Sequence, residues 1–509
     1  MAVIHSRWIL IVLVVLNFPA AIFSYSEKEL KNWCSQTPYP APCEQFIKAK
    51  ATAKHSPIAT KSHFLKLLVE TALDGAVSAQ KTALSLGPKC HNGREKSALT
   101  DCVDLYNQII SRLNRSADRC SSVDAQTWLS ASLTALDTCR NSLQELGVSA
   151  FGYPLTSNNV SKLISDGLSV NKPASPQGFE PTMAEGFPTW VRPGDRKLLQ
   201  SGSPSADVVV AKDGSGNFKT VKEAVAAAKG GGRFVIYVKA GVYSENLEIN
   251  AKNVMLIGDG IGKTVITGSR SVGGGFTTFR SATVAVDGDG FIARDITFRN
   301  TAGAAKHQAV ALRSGSDLSV FYRCGFEGYQ DTLYVYAERQ FYKQCDIYGT
   351  VDFIFGNAAV VLQDCNIIAR DPPNRTITVT AQGRSDPNQN TGISIHNSRI
   401  TSAGGLSGVK AYLGRPWRQY SRTVIMKSSI GGFISPAGWL EWSGNFALNT
   451  LYYGEYMNTG PGASTANRVK WKGYRVITSA TEASKFTVGN FIAGGSWLPS
   501  TGVPFTSGL

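Results

Sequence analysis

A spacing of about 21 residues recurs among the chemically distinctive residues in the C-terminal part of this chain. Asp331 and Asp352 lie 21 residues apart, and Cys324, Cys345 and Cys365 follow one another at intervals of 21 and 20 residues. Repeats of roughly 20 to 50 residues mark stacked architectures, in which one repeat forms one coil. Neighbouring coils lie about 4.8 Å apart, so residues one coil apart become neighbours in space. The spacing therefore predicts a parallel β-solenoid that holds two aspartates side by side.

Residues 206–509 are predicted to form an all-β right-handed parallel β-helix. Short apolar runs, such as 234–238, 254–257 and 359–362, follow one another between Gly, Asn and Asp residues. Within each run the apolar residues are nearly continuous, as expected of strands that are covered on both faces. One short helix is predicted at 224–228, before the first coils.

Residues 27–170 show a different periodicity. Apolar residues recur there at steps of three and four, for example at Trp128, Leu129 and Leu133, and β-branched runs are few. This pattern is typical of amphipathic helices, and the short connections between them favour an antiparallel four-helix bundle. Cys102 and Cys139 lie on two of these helices and could link them.

The N-terminus predicts a signal peptide over residues 1–25. Arg7 precedes an apolar run from Trp8 to Phe23, which ends among small residues, and this is the layout of a cleaved secretory signal. The alternative is a signal anchor, since about 20 apolar residues can span a bilayer. No later segment is long and apolar enough to span, so no stable membrane insertion is expected after cleavage.

Residues 171–205 contain six prolines among Gly and Ser, which is the composition of a linker. The segment includes a dibasic stretch at 196–199, Arg-Lys-Leu-Leu. Proteolysis concentrates in exposed segments between domains. A processing site is therefore predicted there, the alternative being a solvated charge pair.

The net charge of +15 suits a polyanionic partner. Residues 201–509 hold 31 Lys and Arg against 21 Asp and Glu. The alternative is that this excess only keeps a large domain soluble. Nucleic acid is not expected, because the chain is predicted to be exported and has no dense basic run.

Several familiar reactive motifs are absent from the sequence. It contains no Gly-x-Ser-x-Gly, no Cys-x-x-Cys and no His-Glu-x-x-His, and only six histidines. The usual serine esterase is therefore disfavoured. A zinc site is not expected either, and nothing in the sequence calls for another metal or a cofactor.

Polar residues in phase with the aspartates indicate a site. Gln330 precedes Asp331, and Gln308 lies 22 residues before Gln330, again one coil. Two nearby carboxylates rarely ionise alike, so one serves as nucleophile or base and the other as acid. Glutamine amides can donate to a developing oxyanion. The alternative is that these side chains have no catalytic role and only form hydrogen bonds with buried backbone groups. Four polar residues at the same coil spacing make this alternative less attractive.

The segment Leu413-Gly414-Arg415-Pro416-Trp417 adds a guanidinium and an indole. An arginine can hold a carboxylate through two hydrogen bonds. A tryptophan offers an apolar face to the CH groups of a sugar ring. A surface ion pair and a half-buried core tryptophan are the alternatives.

Five segments of the C-terminal part resemble the signature of plant pectin methylesterases, in the family's order. They are Gly241-x-Tyr243-x-Glu245, Gln308-Ala309-Val310-Ala311-Leu312, Gln330-Asp331-Thr332-Leu333, Asp352-Phe353-Ile354-Phe355-Gly356 and Leu413-Gly414-Arg415-Pro416-Trp417. The N-terminal part resembles the inhibitor domain of these enzymes, with its Cys34/Cys43 and Cys102/Cys139 pairs. Cys90 and Cys120 are extra to that pattern, and their pairing is open.

The resemblance implies a role for each residue of the site. Asp352 would be the nucleophile and Asp331 the proton donor and base, while Gln308 and Gln330 would stabilise the oxyanion. Arg415 would orient Asp352. The substrate-binding residues would be Thr278, Gln308, Arg415 and Trp417. The resemblance also implies a disulfide between Cys345 and Cys365, with Cys324 left as a thiol.

The resemblance further implies a secreted cell-wall esterase acting on methyl-esterified homogalacturonan. Its helical pro-domain would act as an inhibitor until a protease cleaves the linker, and a proteinaceous inhibitor is an expected partner. One rival is a β-helix hydrolase or lyase that depolymerises the same polymer. Another is a non-enzymatic inhibitor or wall-binding protein with an inactive β-helix.

Overall fold

The structure is a computed structural model of the chain. It describes residues 27–54, 60–118, 120–172, 183–184, 187–188, 206–229 and 231–509. The predicted signal peptide (1–25) and the predicted processing site (196–199) lie outside these residues. Among the described residues, no helix has the length and apolar character needed to cross a membrane.

The N-terminal domain is all-helical. Helices α3, α4, α5 and α7 pack against one another as a bundle, and α1 and α2 lie at its end. Side chains of Thr60, Asn92 and Ser121 cap the first turns of α3, α4 and α5. The bounds are α1 (Glu27–Cys34), α2 (Pro40–Lys54), α3 (Lys61–Leu86), α4 (Gly93–Ala117), α5 (Ser122–Glu145), α6 (Tyr153–Thr156) and α7 (Val160–Asn171).

Two disulfides stabilise this domain. Cys34 and Cys43 join α1 to α2, and Cys102 and Cys139 join α4 to α5 with a Cα–Cα distance of 4.7 Å. The predicted link between the helices of Cys102 and Cys139 is confirmed. Among the described cysteines, Cys90 and Cys120 are free thiols.

The C-terminal domain consists of short strands. After a two-stranded antiparallel pair, β1 (Met183–Ala184) and β2 (Phe187–Pro188), the strands are β3 (Val208–Val210), β4 (Phe234–Val238), β5 (Gly241–Ser244), β6 (Leu247–Ile249), β7 (Val254–Ile257), β8 (Thr264–Gly268), β9 (Val284–Val286), β10 (Ile292–Arg294), β11 (Thr297–Asn300), β12 (Leu312–Ser314), β13 (Ser319–Tyr322), β14 (Gly325–Glu327), β15 (Leu333–Val335), β16 (Arg339–Lys343), β17 (Asp346–Gly349), β18 (Val351–Gly356), β19 (Ala359–Gln363), β20 (Asn366–Ala369), β21 (Thr376–Gln382), β22 (Gly392–His396), β23 (Arg399–Ser402), β24 (Lys410–Pro416), β25 (Arg422–Met426), β26 (Ser429–Ile430), β27 (Tyr452–Tyr456) and β28 (Tyr474–Val476).

From β3 onward, the strands stack into three parallel sheets. The first sheet runs from β3 to β28, the second contains β5 and every third strand to β26, and the third contains β6 and every third strand to β24. In the third sheet Leu312 pairs with Leu333, and Leu333 with Ile354, so one coil there is 21 residues. The predicted parallel β-helix, preceded by an all-helical domain, is confirmed.

Three short helices accompany the coils: α8 (Val221–Ala226), α9 (Ala480–Ser484) and α10 (Val488–Phe491). Helix α8 begins three residues before the predicted start. Thr220 and Glu223 form a capping box there, in which the Thr220 hydroxyl accepts from the Glu223 N–H. The capping residues therefore set the start of the helix.

From β10 to β26, each turn from the first to the second sheet contains one residue with a left-handed backbone. Arg323, Gln344 and Asp364 occupy this corner in successive coils, with φ between 50° and 56°. A cysteine follows each of them and is buried. The corner thus explains why the cysteines repeat with the coil.

The structure does not contain the disulfide that the resemblance implied between Cys345 and Cys365. Both are free thiols, as is Cys324. Each sulfur donates to the carbonyl two residues earlier, Cys345 Sγ to Lys343 O at 3.4 Å and Cys365 Sγ to Gln363 O at 3.5 Å. Each sulfur also donates to a carbonyl of the preceding coil, Cys345 Sγ to Phe321 O at 3.3 Å and Cys365 Sγ to Tyr342 O at 3.7 Å.

The helical bundle docks on the third sheet. One cluster of buried hydrophobic side chains includes leucines of the bundle together with Phe279, Tyr334, Tyr336 and Phe355 of the β-helix. The two domains therefore share a continuous core.

Helix α7 contributes a buried carboxyl group to this interface. Asp166 accepts from the Tyr39 N–H at 2.8 Å. Its neighbour Ser165 donates to Asp386 of the β-helix domain. Burial, together with the nearby charge of Asp386, raises the pKa of Asp166 to about 7, although hydrogen bonds from Tyr39 and Thr37 oppose the shift.

We expect the thermal stability of the full chain to fall as the pH rises. The folded chain holds the Asp166 proton to about pH 7, whereas an unfolded aspartate loses it near about 3.9. The stabilisation is complete below about pH 4 and is lost as the pH rises through 7. Asp166→Asn should flatten the dependence of the melting temperature on pH between 4 and 8. Asp74→Asn, at an exposed bundle position, is the control, and an equal flattening in both would contradict the assignment.

Candidate active site

A cavity of about 210 Å³ lies between the third sheet and the helical bundle. All seven residues that the sequence singled out for catalysis or substrate binding line it. The lining residues are Thr278, Phe279, Gln308, Gln330, Asp331, Tyr334, Asp352, Phe355, Ala381, Arg415, Trp417 and Trp442 of the β-helix, with Thr138, Asn141, Ser142 and Glu145 of α5.

The two aspartates occupy matching positions on successive coils. The Asp331 N–H donates to the Val351 carbonyl at 3.0 Å, which places Asp331 beside Asp352. Both have left-handed backbones, with φ of 61° and 51°. Such a conformation is uncommon for a residue other than glycine and collects at functional sites.

Asp352 lies at an irregularity of the sheet. Between Val351 and Ile354 the pairing of β18 with β21 shifts by one residue. A β-bulge redirects the side chain at that point, and bulges are frequent next to active sites. The irregular register therefore turns the Asp352 carboxylate toward the cavity.

Three donors hold the Asp352 carboxylate. Arg415 Nη2 lies 2.5 Å from Oδ2 and Arg415 Nε lies 2.9 Å from Oδ1. The Thr378 hydroxyl donates to Oδ1 at 2.6 Å. The two-point contact with the guanidinium fixes the plane of the carboxylate, as expected of a paired arginine.

Asp331 has a different environment. Burial, together with the charges of Asp352 and Glu145, raises the pKa of Asp331 well above its usual value, while Arg415 lowers it. A carboxyl group in such surroundings keeps its proton at a pH where a solvated aspartate has lost it. The pair therefore consists of one carboxylate held by an arginine and one carboxylic acid.

Gln308 and Gln330 reach the same cavity from neighbouring coils. The Ala309 N–H donates to the Gln330 carbonyl at 3.2 Å, which fixes the two coils in register. Within the described part of the chain, neither amide side chain forms a hydrogen bond. Both amides are therefore free to donate to a ligand in the cavity.

Aromatic rings form the walls of the cavity. Trp417 packs edge-on against Phe355, with ring centroids 6.0 Å apart. The Arg415 guanidinium lies over the Trp442 ring at 4.3 Å. The sequence reasoning missed Trp442, which lies in the irregular segment between β26 and β27, and Thr378, which lies 26 residues after Asp352.

The bundle also contributes to the cavity. Glu145, the last residue of α5, accepts the Thr278 N–H at 2.8 Å. Burial raises the pKa of Glu145, and the hydrogen bonds from Thr278 oppose this effect. Glu145 of the N-terminal domain therefore already accepts a hydrogen bond from Thr278, a residue that lines the cavity.

No group of His, Cys, Asp and Glu side chains in the described ranges is arranged to hold a metal ion. The polar groups that line the cavity are carboxyl groups, amides, hydroxyls and a guanidinium.

Family models match both domains. The model named Pectinesterase matches residues 207–495, more than half of the chain. The chain belongs to the pectinesterase family. Residues 28–170 match a second model, Plant invertase/pectin methylesterase inhibitor. This pectinesterase, a carboxylic ester hydrolase, therefore carries an inhibitor-type domain ahead of its β-helix.

The curated relatives share the whole arrangement. Pectinesterase 2 of Citrus sinensis is 63% identical over 506 residues, with 98% of each chain covered. The probable pectinesterase/pectinesterase inhibitor 17 of Arabidopsis thaliana is also 63% identical, over 505 residues with the same coverage.

Solved structures match the β-helix. Pectin methylesterase from carrot is 62% identical with a TM-score of 0.60, and the match covers 61% of this chain and all of the carrot chain. The Aspergillus niger enzyme, crystallised in penultimately deglycosylated form, is 32% identical with a TM-score of 0.51, over 59% of this chain and 97% of the other. Because the match covers all of the carrot chain but only 61% of this chain, a β-helix of this kind is folded in a chain too short to include the bundle as well.

Proposed function

We propose that this chain hydrolyses the C6 methyl esters of homogalacturonan, releasing methanol and leaving galacturonate carboxylates. The observation that carries the proposal is the unequal aspartate pair, one member held by Arg415 and the other buried with a raised pKa. Ester hydrolysis through an acyl-enzyme needs one nucleophile and one proton donor, and the cavity supplies both.

In the first step, an oxygen of the Asp352 carboxylate attacks the ester carbonyl carbon. The carbonyl oxygen becomes an oxyanion, which the side-chain amides of Gln308 and Gln330 stabilise by donating hydrogen bonds. The C–O bond to the methoxy group then breaks, and Asp331 gives its proton to the departing oxygen. Methanol leaves, and the sugar remains joined to Asp352 as an anhydride.

In the second step, the Asp331 carboxylate takes a proton from a water molecule. The resulting hydroxide attacks the acyl carbon, and the bond to Asp352 breaks. Asp352 returns as a carboxylate and Asp331 as an acid, and the product forms as a carboxylic acid that then gives its proton to the solvent. Arg415 positions Asp352 in both steps, while Trp417 and Thr278 contact the sugar chain.

We also propose that the helical domain keeps this pectinesterase inactive before the linker is cleaved. Four α5 residues line the cavity, and Glu145 occupies the Thr278 donor. A polymer cannot enter while these side chains fill the groove. Cleavage near residues 196–199 by a processing protease would let the bundle dissociate, and a separate inhibitor protein of the same type could bind the vacated face.

The proposed place of action is the plant cell wall. The pectin substrate of the family is a wall polymer, and its demethylated form is a polyanion that suits the positive charge of the chain. The proposal includes secretion through the N-terminal signal.

The test is a methanol-release assay on methyl-esterified pectin with protein that begins at Ala206. We expect methanol to accumulate while the polymer keeps its length. Chain shortening without methanol would instead support a depolymerising hydrolase or lyase. Neither methanol nor shortening would favour a wall-binding protein without catalysis.

A further inference from the structure

One hydroxyl group binds both the backbone and the side chain of Asp352. The Asp352 N–H donates to Thr378 Oγ1 at 2.9 Å, and the same hydroxyl donates to Asp352 Oδ1 at 2.6 Å. A hydroxyl has a single proton to donate. Because its oxygen already accepts from the N–H, that proton is directed to the carboxylate. The two hydrogen bonds close a ring through Asp352 itself, and this ring fixes the torsions of the Asp352 side chain.

The irregular backbone at Asp352 depends on the same hydroxyl. One coil earlier, the Asp331 N–H donates to the Val351 carbonyl, which is a regular bond between coils. At Asp352 the pairing of β18 with β21 shifts, and the N–H donates to a side chain instead. A buried N–H without an acceptor is costly. Thr378 therefore stabilises the left-handed conformation that turns Asp352 toward the cavity.

Thr378 contacts Asp352 from the buried side. Its side chain is inaccessible to solvent, and it is not among the residues that line the catalytic cavity. A threonine in a strand has few rotamers, because its side chain branches at Cβ. The hydroxyl is therefore in place before a substrate binds and does not touch the substrate.

The hydrogen-bond donors are divided unequally between the two oxygens of Asp352. Each carboxylate oxygen can accept about two hydrogen bonds. Oδ1 accepts from the Thr378 hydroxyl and from Arg415 Nε at 2.9 Å, so its lone pairs are occupied. Oδ2 accepts from Arg415 Nη2 at 2.5 Å, and the shared Nε lies farther from it, at 3.2 Å. Oδ2 therefore keeps a lone pair that can form a bond to carbon.

We propose that Thr378 is a positioning residue for ester cleavage and that it makes Oδ2 of Asp352 the attacking oxygen. This inference rests on the proposed function. Oδ2 forms the bond to the ester carbonyl carbon, and an electron pair of the C=O bond moves to the carbonyl oxygen. The methoxy group then leaves with the proton of Asp331, as described above. Oδ1 stays bound to Thr378 throughout, so Oδ2 becomes the bridging oxygen of the anhydride.

The first test measures kcat and KM for methanol release by protein that begins at Ala206. Thr378→Val keeps the shape of the side chain and removes both hydrogen bonds. We expect kcat to fall roughly 10- to 100-fold, because a misplaced carboxylate loses its alignment with the ester. KM should stay unchanged, because Thr378 does not line the cavity. Thr378→Ser, which keeps the hydroxyl, should stay within about threefold of the unsubstituted protein.

Thr264→Val is the matched control. The Thr264 hydroxyl, on β8 of the second sheet, accepts the Asp259 N–H at 2.9 Å and donates to the Val238 carbonyl at 3.1 Å. Its side chain is also inaccessible to solvent. The substitution therefore removes the same two kinds of hydrogen bond without touching Asp352. It should lower the melting temperature about as much as Thr378→Val does, and it should leave kcat and KM unchanged.

Thr378→Cys decides the question if Thr378→Val does not fold. A thiol is only a weak donor, so we expect its kcat to lie about tenfold below that of Thr378→Ser. Equal kcat values for the Cys and Ser variants would overturn the positioning role. So would an unchanged kcat in folded Thr378→Val, or a loss that appears in KM alone.

The second test identifies the attacking oxygen. Asp331→Asn cannot give a proton to the methoxy group, so an esterified oligogalacturonide should remain intact in a crystal of this variant. We expect the Asp352 oxygen that Thr378 does not contact to lie within about 3.5 Å of the ester carbonyl carbon. An ester carbon closer to the oxygen that Thr378 binds would overturn the assignment of Oδ2.

Failure of the proposed function gives a different result. In that case the unsubstituted protein releases no methanol. Failure of the inference about Thr378 leaves the unsubstituted protein active and makes Thr378→Val equally active.

Discussion

Replacement of Asp352 by Asn is expected to lower kcat for methanol release by roughly 10⁴-fold or more. An amide cannot attack the ester as a carboxylate does, so the acyl-enzyme does not form. Asn keeps a similar shape, and its one amide oxygen, in the Oδ1 position, can still accept from Arg415 Nε and Thr378. The measurement is steady-state methanol release by protein that begins at Ala206, with the melting temperature as a check on folding.

Asp346→Asn is the matched control for this substitution. Asp346 lies six residues earlier on β17, in the second sheet, where it accepts from Asn366. Its replacement should leave kcat unchanged. Activity retained by Asp352→Asn, or an equal loss in both variants, would refute the assignment of the nucleophile.

The uncleaved chain is expected to be at least about 100-fold less active than the protein that begins at Ala206. Substituting Arg196 and Lys197 by Ser should keep it uncleaved. We expect this because side chains of α5 line the cavity and block a polymer from it. Buried ion pairs also hold the bundle in place. One of these pairs joins Arg112 to Glu338 at 2.5 Å, with both side chains almost fully buried. Methanol release by the purified uncleaved chain is the measurement.

Arg112→Ala in this uncleaved chain should raise the activity at least about tenfold. Removing one partner of a buried pair leaves the other uncompensated, which typically costs about 3–5 kcal/mol. Burial already raises the pKa of Glu338 to about 8 despite the attraction of Arg112. Arg94→Ala, at an exposed position of the same helix, is the control. A fully active uncleaved chain would contradict the inhibitory role of the bundle.

The sequence predicted the β-helix and the aspartate pair for the same physical reason. A coil of constant length places residues 21 apart side by side, as the pairing of Leu333 with Ile354 shows. The prediction of the two helices joined by Cys102 and Cys139 had a similar basis, because helical periodicity and side-chain spacing are local properties.

Other parts of the site could not be found in this way. Thr378 follows Asp352 by 26 residues because the next coil is longer and its register shifts at the bulge. Trp442 comes from an irregular segment with no period. The position of Glu145 depends on where the bundle docks, and the pattern of an amphipathic helix does not identify its partner surface. Cys324, Cys345 and Cys365 recur with the coil, but this spacing does not determine whether their sulfurs form a disulfide.

The hydrophobic cluster shared by the two domains has a consequence for how the chain folds. Phe279, Tyr334, Phe355 and Trp417 pack against the bundle in the full chain, and cleavage of the linker with loss of the bundle would expose them to water. Large exposed apolar patches promote self-association, most of all during folding. We therefore expect the bundle to assist folding of the β-helix, so that protein expressed without it gives a lower yield of soluble enzyme. Aromatic rings that pack in the shared core of the full chain would then form the surface that contacts the sugar.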